Sequence, residues 1–71
     1  MAGALLGTRI RENRKALQLS QKDLAQAAGL SASYLNLIEH NKRGIGGKTL
    51  NAIARALQIE PSDLTEGMNQ A

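Results

Sequence analysis

An all-α bundle of five helices is the fold class this sequence predicts, and three observations carry it. Apolar residues recur at spacings of three and four nearly everywhere. No stretch keeps the strict alternation of a half-buried strand. Serine and proline stand where helices would open, and glycine stands where they would close.

A first helix is expected from about Leu5 to Leu17, with Leu6, Ile10 and Leu17 inward and Arg9, Arg11 and Lys15 directed elsewhere. Gln18 and Leu19 end it. Ser20 then caps a second helix, Gln21 to Ala28, where Asp23 stands three residues on as a short version of the capping-box acid; its expected core positions are Leu24, Ala27 and Ala28. Gly29 follows directly, and glycine stops a helix in the left-handed conformation at low steric cost. Leu30 tucks inward, and Ser31 caps a third helix from Ala32 to about His40 with Leu35 and Ile38 buried.

The run NKRGIGG is polar and glycine-rich, so it reads as a loop with Ile45 as its anchor. A fourth helix, about Lys48 to Gln58, places Leu50, Ile53, Ala54 and Leu57 on one face. Pro61 suits the first turn of a short fifth helix carrying Leu64, which Gly67 ends, and the MNQA tail reads as frayed. The whole of residues 1–71 reads as one domain with an ordered core over about 5–66.

Bulk properties narrow the function. With 71 residues the chain supports one modest core and no separate substrate cleft. It has no cysteine and a single histidine, His40, so a disulfide framework and a thiolate metal site are excluded. Neither a carboxylate pair in a pocket nor a nucleophile with its base stands out, and no enzyme activity, metal or cofactor is expected. No apolar run approaches the length of a membrane span or signal-peptide core, so no membrane partner is expected and the cytoplasm is the simplest location. All nine Lys and Arg lie in residues 1–59 against three acids, Glu12, Asp23 and Glu39, while residues 60–71 hold three acids and no base. A basic body of this kind favours a polyanionic partner.

The stretch GIGGKT, residues 44–49, looks like the end of a nucleotide-binding loop. That pattern needs a further glycine where Lys42 stands, and a strand upstream where LNLIEHNKR has helical spacing. A glycine-rich turn that opens a helix still suits a phosphate, because the first amides of a helix point outward unpaired.

Two short helices, each opened by a serine and joined by a glycine turn, are a helix-turn-helix arrangement. The run SQKDLAQAAGLSASYLNLIEHNKR resembles the helix-turn-helix family of phage repressors and Cro proteins, also called the XRE family; IRENRKALQLSQKDLA is similar to its opening pattern and TLNAIARAL to its fourth helix. The resemblance spans residues 8–64. It implies a lambda repressor-like five-helix bundle that binds double-stranded DNA as a homodimer, with the third helix in the major groove. The phrase SASYLNLIEHNKR is also similar to the N-terminal domains of larger bacterial regulators of short-chain fatty acid metabolism. That would make the chain part of a longer regulator, with any small-molecule effector bound outside this segment.

The residue roles follow from both readings. With Leu35 and Ile38 inward, Ala32, Ser33, Asn36 and Leu37 are left free: Ser33 and Asn36 are short polar groups suited to base edges, asparagine to adenine, and Ala32 and Leu37 suit thymine methyls. The resemblance puts base contacts on Ser31, Ala32, Ser33 and Leu37. It puts phosphate contacts on Gln21 and on the helix-end amides around Lys48 and Thr49, with Asn41 and Lys42 beside them; Tyr34 reads as part core and part phosphate donor, and Arg43 is placed to reach a neighbouring minor groove. It pairs Arg14 with Glu39 inside the fold. Plainer readings stand beside these: Ser31 as a cap alone, Leu37 as an ordinary exposed leucine, Gln21 as a solvated helix start, Arg43 as a solvated cation. The competing function is a protein-docking module of the antitoxin or coactivator kind, which needs a contiguous apolar patch; Leu37, Ile45 and Leu5 are the residues available for one.

Overall fold

The computed structural model describes residues 5–65. It contains α1 (Leu6–Ala16), α2 (Gln21–Ala28), α3 (Ala32–Glu39), α4 (Gly47–Ala56) and α5 (Pro61–Thr65), and no strand among the described residues. The expected stop at Gly67, residue 66 of the expected core and the 68–71 tail lie outside them. Helix α2 packs on both α3 and α4, α1 packs on α3 and α5, and α4 packs on α5. One core results: Ile10, Leu24, Ala25, Leu35, Ile38, Ile53, Ala54, Leu57 and Leu64.

The capping residues behave as their chemistry requires. Ser20 Oγ accepts the Asp23 amide at 2.9 Å while Asp23 Oδ2 accepts the Ser20 amide at 3.0 Å, a complete capping box. Ser31 Oγ accepts the Tyr34 amide at 3.1 Å and opens α3. Between them Gly29 takes φ 73°, and Leu30 donates its amide back to Ala25 at 2.8 Å. The turn between α2 and α3 therefore takes only three residues, Gly29 to Ser31. The same closing turn ends three other helices on non-glycine residues, with Gln18, Asn41 and Gln58 at φ near 60°. Each is followed by a residue whose amide reaches back to the last turn: Leu19 to Arg14, Lys42 to Leu37 and Ile59 to Ala54.

Two core expectations are corrected. Leu17 is 46% exposed, because α1 stops at Ala16 and the left-handed Gln18 swings the chain so that Leu19 reaches the core instead. On α2 the buried residues are Leu24 and Ala25, with Ala28 half-buried and Ala27 exposed. Wedged between α3 and α4, this helix is rotated by roughly 50–60° from the face that Leu24, Ala27 and Ala28 define. Ile45 anchors its loop as expected, half-buried against the core.

Helix α1 begins beside the end of α3. Asn41 Oδ1 accepts the Gly7 amide at 2.9 Å and Asn41 Nδ2 donates to Thr8 Oγ1 at 3.2 Å, so a side chain 34 residues away supplies the cap that Leu5 lacks. Gly7 permits this approach, because a Cβ there would lie 2.0 Å from the Ile38 carbonyl oxygen.

Candidate nucleic-acid interface

Helix α3 buries Leu35, Ile38 and Glu39 and leaves Ala32, Ser33, Asn36 and Leu37 exposed, with His40 exposed just past its end. Four of these, Ala32, Ser33, Asn36 and Leu37, line one shallow depression together with Gln21 from the start of α2. The sequence-predicted readers of α3 therefore share one surface. Ser31 is exposed beside them, its hydroxyl occupied by the Tyr34 amide.

Beneath this face lies a buried ion pair. Arg14 Nε donates to Glu39 Oε2 at 2.7 Å and Arg14 Nη2 to Glu39 Oε1 at 3.0 Å, with the Arg14 and Glu39 side chains 10% and 0% exposed. Arg14 Nη1 also holds the Leu19 carbonyl at 2.8 Å, tying the α1–α2 turn to the same cluster. This bidentate geometry satisfies both charges, which burial requires. The expected α1–α3 pairing is thus present.

Gln21 departs from the reading of a free, solvated helix start. Its Nε2 donates to Glu39 Oε1 at 3.1 Å, and its Oε1 accepts a long bond from Asn36 Nδ2 at 3.4 Å. Its side chain bridges the ion pair and α3; of the first-turn amides of α2, that of Asp23 is taken by Ser20 Oγ, which leaves those of Gln21 and Lys22 for an anion.

Asn41 requires a correction. Grouped by sequence with the DNA-facing residues, it has both ends of its side chain bonded to the start of α1. The left-handed turn at its own backbone aims the side chain that way. A clue was present in the sequence: Gly7, a glycine inside an amphipathic helix, marks close backbone approach.

The basic residues after α3 lie outside that depression, and Lys42 and Arg43 line a second one with Leu5, Ile38, Asn41 and Ile45. Lys42, Arg43 and Lys48 are exposed, and the Arg43 guanidinium sits over the half-buried Tyr34 ring, 5.5 Å from its centroid. Gly46 offers α4 no side-chain cap, so the amides of Gly47, Lys48 and Thr49 open outward beside the Lys48 ammonium. Nothing lies within 4 Å of the places where Cβ atoms would stand on Gly44, Gly46 and Gly47, leaving the turn open to an approaching phosphate. The strand a nucleotide-binding loop needs is absent among the described residues, where GIGGKT leads from α3 into α4. They also hold no metal-binding group of histidine, cysteine and carboxylates, and no helix long and apolar enough to cross a membrane.

A capped helix pair on a glycine turn, with its second helix turned outward, is the arrangement that the sequence model of the helix-turn-helix family describes, and that model matches residues 10–64. The chain belongs to the helix-turn-helix family. Among helix-turn-helix relatives, the immunity repressor protein of Bacillus phage phi105 is 44% identical over 57 residues, covering 80% of this chain and 40% of the repressor. The propionyl-CoA carboxylase regulator of Cereibacter sphaeroides is 36% identical over 59 residues, 83% of this chain and 13% of the regulator. The chain thus spans less than half the length of either relative. The crystal structure of the P22 c2 repressor protein in complex with a synthetic operator superposes with a TM-score of 0.84 at 34% identity, covering 92% of this chain and 98% of that one.

Proposed function

We propose that this helix-turn-helix chain binds double-stranded DNA sequence-specifically and serves as the reading part of a bacterial or phage-type transcriptional regulator. The observation that carries the proposal is the shared face of Ala32, Ser33, Asn36 and Leu37 with Gln21, in a domain that also exposes Lys42, Arg43 and Lys48 and leaves the first amides of α4 without a side-chain cap. In this reading α3 enters the major groove, its side chains meet base edges, and the helix ends hold phosphates on either side. Ser31 and Thr49 join the backbone contacts, and Arg43 reaches the backbone from its seat over Tyr34. Relatives named as repressors, and a neighbour solved on its operator, support this assignment. The acting unit is a homodimer on two half-sites about one helical turn apart, it works in the cytoplasm, and any effector binds outside these residues.

The docking-module reading has less support. Among the described residues, the exposed large apolar side chains are those of Leu5, Leu17 and Leu37. Leu5 and Ile45 share one depression, but its lining also carries Asn41, Lys42 and Arg43, while Leu37 belongs to the separate α3 face, so Leu5, Ile45 and Leu37 form no single apolar patch. A competition assay tests the proposed function: labelled duplex should be displaced by unlabelled duplex far better than by single strands of the same sequence, since stacking on single strands needs more aromatics than Tyr34. Equal displacement by the two would refute it.

A further inference from the structure

We infer that Gln21 is a specificity-determining positioning residue, which restricts Asn36 to reading adenine and bars guanine from the same position; the inference rests on the DNA-binding reading above. The Glu39 carboxylate, ionised in its pair with Arg14, only accepts hydrogen bonds. Gln21 must therefore turn its amino group inward to Glu39 Oε1, at 3.1 Å. That fixes the otherwise ambiguous amide, and Gln21 Oε1 faces Asn36 as an acceptor. Asn36 in turn directs one amino hydrogen to that oxygen, at 3.4 Å.

The consequence lies in what Asn36 has left. A free asparagine amide has two donor hydrogens and one acceptor oxygen, enough to give both hydrogens to the N7 and O6 acceptors of guanine. With one hydrogen committed to Gln21, one donor and one acceptor remain. That pair matches adenine, which offers N7 as acceptor and N6 as donor, and it mismatches guanine. Ala32 and Leu37 line the same depression and suit the methyl group of the paired thymine. The polarity of the reading group is thus set two side chains away, by the Glu39 carboxylate of the buried charge pair.

Selection from a random duplex library, with the full chain and three variants, tests this. The wild type should enrich adenine at one base pair per half-site, and Asn36→Ala should lose the preference at that pair alone, which locates it. Gln21→Met keeps the volume and removes both amide bonds; it should admit guanine at that pair, lowering adenine-over-guanine discrimination by about tenfold and leaving the other pairs unchanged. Gln21→Ala should behave alike, and thermal unfolding confirms which variants fold. A folded Gln21 variant that keeps the wild-type preference overturns the inference, as does an Asn36→Ala selection that changes no base pair. A folded wild type that enriches no sequence overturns the DNA-binding reading itself.

Discussion

Asn41 Oδ1 accepts the Gly7 amide at 2.9 Å, so the residue that ends α3 also caps α1. The bond joins the first helix of the fold to the turn that carries Lys42 and Arg43. It exists because Gly7 has no side chain: a Cβ there would meet the Ile38 carbonyl oxygen at 2.0 Å and Asn41 Oδ1 at 2.6 Å.

Gly7→Ala is therefore expected to destabilise the domain despite alanine's better helix propensity. The clash is with backbone, so α1 must shift, at a cost of about 1–3 kcal/mol. Asn41→Gly keeps the left-handed turn and loses only the side-chain bonds, about 1 kcal/mol, whereas Asn41→Ala also strains the backbone and should cost more. Urea denaturation of the three variants checks the order.

Breaking the buried pair should be more severe. Glu39→Ala leaves the Arg14 guanidinium without its carboxylate in a nearly closed site, a change worth about 3–5 kcal/mol. In so small a domain that approaches the whole stability. Arg14→Met combined with Glu39→Leu removes both charges and should recover most of the loss. Circular dichroism melts of the single and double variants give the comparison, and an unfolded double variant would show that the pair does more than satisfy its own charges.

Asp23 supplies a pH dependence. The Ser20 backbone amide, then the Ser20 side chain, hold its carboxyl below the ordinary 3.8 of an aspartate; Lys22 adds a smaller pull and slight desolvation opposes. A depressed folded pKa means that this cap contributes fully above the unfolded value and is lost as pH falls through the folded one. Melting temperature followed from neutral pH to below pH ~4 should fall less steeply in Asp23→Asn than in wild type. Because the carboxyl is exposed, the difference is small and confined to the acid limb.

The helices and the exposed face of α3 were legible in the sequence because their signals are local. Ser20, Gly29 and Ser31 determine their own turns through side-chain or backbone chemistry that needs no distant partner. Leu35 and Ile38 leave only one set of α3 residues facing out. The rest depends on contacts far apart in the chain. Asn41 meets Gly7, Gln21 meets both Glu39 and Asn36, and the rotation that buries Ala25 comes from packing against α4. The three closing turns at Gln18, Asn41 and Gln58 were hidden for a related reason: glycine, their usual signal, is missing, and tertiary packing holds non-glycine residues in the left-handed region.

Salt dependence tests the central claim most directly. Fluorescence anisotropy of labelled duplex fragments from near the encoding gene should show affinity falling by roughly a thousandfold or more between about 50 and about 200 mM salt if some six phosphates are held. Replacing both Arg43 and Lys48 by alanine should weaken binding and flatten the salt slope by about two units, about one for each phosphate contact. Absence of binding at low salt by the folded chain, or affinity that ignores both salt and the two substitutions, would contradict the account.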